Sequence, residues 1–321
     1  MTVYLLFLKP LTSTLMPCYH PLKGWRSKKL TANGKRSIVF RPQEGFSDMP
    51  VEVPCGQCIG CRLERSRQWA IRCVHEAQLY DDNCFITLTY SDESLPFDGS
   101  LDVSHFQLFM KRLRKRFGSG IRFFHCGEYG DQLGRPHYHA CIFNFDFPDK
   151  VPFKQLDSGG MLYTSAALSE LWPFGLHSIG TVTFESAAYV ARYVTKKVTG
   201  KNASAHYERF DPFTGEVFFL KPEYITMSRR PGVGKGWFDR FRGDVYPSDE
   251  VVMNGVSMRP PKFYDSQYEL LSPELLRKLK LLREANAAKF AANTTGDRLA
   301  VREVCLLSRF SNLKRPLEGS F

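Results

Sequence analysis

The chain has 321 residues, 43% of them hydrophobic, and 44 Lys and Arg against 33 Asp and Glu, a formal charge of +11. That length can bury a sizeable core, and no apolar run reaches the ~18–20 residues of a membrane helix, which excludes a spanning protein and any membrane partner. The basic surplus points to a polyanion, nucleic acid first, although charge alone does not separate a DNA protein from a basic housekeeping enzyme.

Residues 1–15 hold an apolar patch with no basic flank and are broken by Pro10, a poor secretory signal. With Met16 as an alternative start, they are expected to be disordered or to lie upstream of the fold. Residues 16–61 are rich in Pro, Gly, Cys and Lys/Arg and show little periodicity, so a loop-rich Cys-rich module is expected there. Nine cysteines, an odd number, argue against a secreted disulfide framework and for reduced thiols in the cytoplasm. Within CGQCIGC, and with Cys18 upstream, the set Cys18, Cys55, Cys58 and Cys61 offers four thiolates for a structural Zn²⁺ knuckle. The C-x2-C-x2-C spacing also resembles part of an iron–sulfur run, without the adjacent fourth ligand, and unligated thiols are the plain alternative.

Leu63, Trp69, Cys73, Ala77 and Tyr80 predict a helix over 61–80. The β-branched and aromatic NCFITLTYS predicts a strand over 83–91. Phe106, Phe109, Met110, Leu113 and Phe117 form one face of a helix over 102–118 whose other face is basic. Two strands, 121–128 and 137–145, are joined by the turn-like YGDQLGRP. A short helix near 164–172, a strand over 176–184 and a helix over 185–198 follow. YERFDPFTGEVFFL reads as a further hairpin, and SPELLRKLKLLREANAAKFAA as a capped helix in a helical C-terminal extension, 246–321. The order implies an α+β domain, an antiparallel sheet with helices packed on one face, over 62–245.

His137 and His139 sit two apart in a strand, so both imidazoles point to one face, roughly 7 Å apart or less. Glu128, at the end of the hairpin's first strand, can face them across the ladder. Two His and a carboxylate with open positions suit Mn²⁺ or Mg²⁺; the bland alternative is a polar pair on the wet face of a sheet. Tyr189 and Tyr193 are i and i+4 on the next helix, with Lys196 and Lys197 following. A phenol is a weak nucleophile at neutral pH, so cationic company matters; otherwise the tyrosines are core residues of an amphipathic helix. In RRPGVGKGWFDRFR, Gly236 follows Lys235, so the phosphate-loop pattern of an ATPase is not met and no nucleotide cofactor is expected. Arg229, Arg230, Lys235 and Trp237 suit a basic loop that tracks a DNA backbone and stacks a base, or simply a solvated turn. His20, His75, His105, His125, His177 and His206 are read as structural.

FITLTY, RPHYHACIF with Glu128 upstream, and YVARY resemble, in order and spacing, the three motifs of the HUH endonucleases. More narrowly, MPCYHPLKGW, PCGQCIGCRLERSRQWAIRC, FITLTYSDESLP and RRPGVGKGWF are similar to the replication initiators of small single-stranded DNA phages, the Microviridae and their gokushovirus branch. The likeness runs over about 16–240. It implies the HUH fold, a central antiparallel sheet with flanking helices and a ferredoxin-like core. It also implies a rolling-circle initiator that nicks and rejoins origin DNA through a 5′-phosphotyrosine. Phe85 to Tyr90 would form a structural strand beside the site. His137, His139 and Glu128 would bind the metal, and Tyr189 and Tyr193 would be the two nucleophiles of the two-tyrosine class. Single- and double-stranded origin DNA, the host's helicase and polymerase, and the cytoplasm of a bacterial host follow as partners and location. An HUH transposase or relaxase shares these motifs. A two-His-one-carboxylate iron oxygenase shares only the metal set and needs no paired tyrosines, and a non-catalytic nucleic-acid binder would need only the basic surface.

Overall fold

A computed structural model of the chain describes residues 18–32, 34–130, 134–156, 159–192, 203–210 and 214–311. Their contacts group them into two compact units, one of 65–280 and one of 18–64 with 281–311.

The smaller unit contains an antiparallel sheet, order β2-β1-β3, made of β1 (Leu22–Leu30), β2 (Arg36–Val39) and β3 (Gly45–Val53). This corrects the expectation of a loop-rich segment with low strand content. The strands were hidden because both pairings slip register, and β1 exposes Lys23, Arg26, Lys28 and Lys29, so no alternation of apolar and polar residues survives. Helix α1 (Ile59–Ala77) follows.

In the larger unit, β4 (Asn83–Thr89) leads to α2 (Val103–Phe117), then the hairpin β5 (Arg122–Tyr129) and β6 (Pro136–Phe143). A hairpin absent from the expectation comes next, β7 (Val151–Gln155) and β8 (Met161–Thr164), before α3 (Ala166–Leu171), β9 (His177–Gly180) and α4 (Phe184–Arg192). Helix α5 (Ala203–Tyr207), the expected hairpin β10 (Glu208–Phe210) and β11 (Val217–Phe219), β12 (Tyr224–Met227) and α6 (Lys235–Val245) follow. Beyond 245 lie a small hairpin, β13 (Val251–Met253) and β14 (Val256–Met258), and the helices α7 (Lys262–Leu271), α8 (Pro273–Ala288) and α9 (Gly296–Ser311).

Seven antiparallel strands form the central sheet, in the order β12-β5-β6-β4-β9-β8-β7. The architecture is the expected α+β, but helices cover both faces, not one. Helices α2 and α3 pack on Ile86, Leu88, Tyr138 and Ala140, whereas α1, α4, α6 and α7 pack on Phe85, Phe124, Cys126 and Cys141. The cause is in β4: all but its first residue are buried, so the strand reads as one continuous apolar run with no wet side.

Helix α2 is fixed at its start by Asp102, whose carboxylate accepts from the Ser104 N–H, and it buries Phe106, Phe109, Met110 and Leu113 while its charges face outward. Phe109 is fully enclosed. Phe109→Ala is expected to cost about 3–5 kcal/mol, read as a lower urea midpoint at unchanged slope; a loss below about 1 kcal/mol would contradict this packing.

Candidate active site

The site begins with register. Glu128 on β5 pairs directly with His137 on β6, and Cys126 pairs with His139. On the other side of β6, Thr89 faces His137 and Thr87 faces His139. Directly opposed residues share a face, so Thr87, Thr89, Cys126, Glu128, His137 and His139 all project the same way, while Leu88 and Tyr138 point into the opposite apolar layer. Helix α4 crosses this face. Thr183 and Ser186 start it with a reciprocal cap, the Thr183 N–H donating to Ser186 Oγ and the Ser186 N–H to Thr183 Oγ1. Ser66 on α1 donates to the Ala188 carbonyl, 3.0 Å away, and holds the helix from the far side.

That placement brings Tyr189 edge-on to His139, with ring centroids 5.0 Å apart and planes 87° apart, and edge-on to Phe85. Tyr189 is 5% exposed, His139 5% and Glu128 3%. The rings of His137 and His139 are 6.3 Å apart, centroid to centroid, as their i, i+2 spacing requires.

The hydrogen bonds set tautomers. His137 Nδ1 donates to the Arg135 carbonyl, which leaves its Nε2 with a lone pair. Burial pushes the His137 pKa down, so the ring is neutral at pH 7. A glycine at 130 leaves room for this ring: a Cβ there would stand 3.2 Å from its Cε1. His139 Nε2 lies 2.9 Å from Glu128 Oε1 and its Nδ1 2.9 Å from Thr87 Oγ1. A carboxylate only accepts, so Nε2–H donates to Glu128 and the Thr87 hydroxyl donates to Nδ1.

Two imidazoles and a carboxylate on one face are a donor set that fits a divalent cation, which would take the place of the proton shared by His139 and Glu128. The Thr89 hydroxyl supports the fit, since it is 3% exposed, shares this face with His137, and has no hydrogen-bond partner among the described residues. Thr87 and Thr89 were missed as site residues. Their signal was present in FITLTY, where alternate positions of a strand share a face.

Tyr193, Lys196 and Lys197 lie outside the described residues. Arg229 and Arg230 sit exposed on a turn after β12, but Lys235 and Trp237 are in the first turn of α6, not in a loop. Lys235 pairs with Asp239. The Trp237 indole stacks on His75, centroids 3.5 Å apart, and donates to Gln78 Oε1, so one ring face is already covered. Cys18, Cys55, Cys58 and Cys61 come together in the smaller unit, their sulfurs all within 4.8 Å of one another, a cluster able to bind a metal. Glu128, His137 and His139 share a face without being drawn that close. No described helix is long and apolar enough to cross a membrane.

A family model described as a replication-associated protein of the ORF2 type matches residues 83–198, a span holding the whole β4–β9 region and α4. Replication-associated protein VP4 of Bdellovibrio phage phiMH2K is 36% identical over 269 residues, covering 81% of this chain and 79% of that protein. Replication-associated protein ORF2 of Spiroplasma virus 4 is 35% identical over 230 residues, 68% of each chain. Replication-associated protein ORF4 of Chlamydia phage 1 is 35% identical over 236 residues, 71% of this chain and 54% of that protein. No solved structure matches.

Proposed function

Because the chain belongs to the replication-associated proteins of small phages and is a phage replication initiator, we propose that it opens rolling-circle synthesis by nicking one strand of the origin with a tyrosine nucleophile. The observation that carries this reading is Tyr189, buried edge-on against His139 on the face that also holds Glu128 and His137.

The Tyr189 phenol oxygen attacks the scissile phosphorus, and the P–O3′ bond breaks. The phenolic proton is lost and the departing 3′ oxygen gains one, leaving a 3′-OH and a 5′-phosphotyrosine. Trading one phosphodiester for another is nearly balanced in energy, so rejoining needs no nucleotide. Mn²⁺ or Mg²⁺ held by Glu128, His137 and His139 would polarise a phosphoryl oxygen and orient the strand. The Arg135 carbonyl and the Thr87 hydroxyl fix the two imidazoles for that task, and α4 presents the phenol in a pre-set position.

Tyr193, one helical turn on, supplies a second nucleophile with Lys196 and Lys197 beside it. One tyrosine holds the displaced strand while the other cuts the regenerated origin, after which the freed 3′-OH attacks the first phosphotyrosine and releases a circle. Single-stranded origin DNA is the substrate and the duplex origin the site of assembly. Arg229 and Arg230 contact the backbone, the bacterial host's helicase and polymerase extend the 3′ end, and all of this happens in the host cytoplasm.

Strand transfer tests this reading. With Mn²⁺ and no nucleotide, the protein should join the downstream half of one origin oligonucleotide to a second strand ending in 3′-OH at the nick sequence. Cleavage with no joined product at any acceptor concentration would point instead to hydrolysis by water.

A second expectation concerns Thr87. Thr87→Val keeps the volume and removes the donor to His139 Nδ1, so cleavage should fall about 10–100-fold while the melting temperature moves by no more than a few degrees. Wild-type cleavage in this variant would show that His139 is oriented without the hydroxyl.

A further inference from the structure

We propose that Cys18, Cys55, Cys58 and Cys61 form a closed, structural zinc centre that holds the smaller unit together, a site independent of the nicking chemistry.

Geometry is the first support. A tetrahedral ion with Zn–S bonds of ~2.3 Å needs its sulfurs about 3.8 Å apart. The Cys18 and Cys58 sulfurs are 3.9 Å apart, and all four lie within 4.8 Å of one another. Four thiolates on the separate irons of a cubane cluster must stand farther apart, so the spacing selects a single ion over the iron–sulfur alternative. None of the four is in a disulfide.

The surrounding backbone is the second. Cys55 N–H donates to Cys18 Sγ at 3.1 Å, Tyr19 N–H to Cys58 Sγ at 3.3 Å, and the Cys58 and Gln57 N–H groups to Cys55 Sγ at 3.3 and 3.4 Å. A neutral thiol is a weak acceptor, whereas a thiolate bound to zinc is a good one, and such N–H···S bonds are the outer support that metal ligands commonly have. The turn that aims Cys55 and Cys58 at one point needs Gly56 at φ +75°, a backbone state that favours glycine.

Need is the third. Among the described residues of this unit the buried apolar side chains are Tyr19, Cys58, Leu63, Leu299 and Leu306. So small a core rarely sustains a fold unaided, and a metal is one of the usual staples. The four ligands come from three places: the lead-in to β1 (Cys18), the segment after β3 (Cys55 and Cys58) and the first turn of α1 (Cys61). One ion therefore pins both ends of the β1–β3 sheet to the helix that follows. Four protein ligands leave no open position, which marks the site as structural and not catalytic.

The full-length protein, purified without chelator, is to be analysed for metals and by zinc-edge X-ray absorption. The expected result is about one zinc per chain with four sulfurs at ~2.3 Å, and loss of that zinc in Cys55→Ser and in Cys58→Ser. Should either variant fail to fold, the wild-type absorption spectrum still decides, because zinc held at Glu128, His137 and His139 would show only nitrogen and oxygen neighbours. Iron with acid-labile sulfide, zinc without sulfur ligands, or no metal at all would each overturn the assignment.

Discussion

Tyr189→Phe combined with Tyr193→Phe is expected to abolish the covalent protein–DNA adduct, with strand cleavage falling at least about 10³-fold, the scale on which losing a nucleophile is felt. The reason is chemical and local. Removing both hydroxyls leaves no phenol to attack the phosphorus, yet the Tyr189 ring still fills its place against Phe85 and His139. Stability should change by less than about 1 kcal/mol, so a large loss of cleavage cannot be charged to unfolding. DNA affinity should also persist, since basic side chains elsewhere supply it. The single variants then assign the order: whichever one still forms the first adduct retains the initiating tyrosine. Full cleavage by the double variant would remove the tyrosine mechanism.

His139→Ala carries the second large effect. His139 lies at the centre of the site, bonded at Nε2 to Glu128 and at Nδ1 to Thr87, with Tyr189 against its ring. Its loss removes one metal ligand and leaves the buried Glu128 carboxylate without that partner. Outer-sphere changes at metal sites cost ~10–100-fold, so loss of a ligand should cost more, about 10³-fold in cleavage, with partial recovery at high Mn²⁺. Measuring cleavage against Mn²⁺ concentration separates the cases. A right-shifted curve with a lowered plateau is expected, whereas a wild-type curve would mean that His139 does not bind the ion.

Much of the site was legible because it is local. His137 and His139 are two apart on one strand, and Glu128 is tied to them by a hairpin whose turn residues were visible, so period two and a tight turn placed all three on one face. The helix with Tyr189 was visible through its Ala/Val/Tyr pattern. The helical faces beneath the sheet were less so: β4 is buried on both sides, and a continuous apolar run does not say which side a helix covers. Nothing local announced β1–β3 either, because their pairing is irregular and β1 carries lysines where a core face would be expected. Thr87 and Thr89 read as β-branched strand formers, which they are. Their second role depends on β4 lying beside β6, a long-range pairing that no short window of sequence contains. Trp237 shows the opposite error: an exposed stacking platform suggested by its basic neighbours is half occupied by His75, a residue far away in the chain.

The most direct measurement is covalent capture. Single-stranded oligonucleotides tiling the intergenic sequences of the cognate genome, labelled at one end or the other, are incubated with the protein and Mn²⁺ and run on a denaturing protein gel. One tile labelled at its 3′ end should give a protein band carrying DNA, and the same tile labelled at its 5′ end should give only a free shorter strand ending in 3′-OH. The band should vanish with chelator, with Tyr189→Phe/Tyr193→Phe and with His139→Ala. A 5′-labelled strand bound to protein would reverse the proposed polarity, and no bound strand on any tile would contradict the tyrosine nuclease outright.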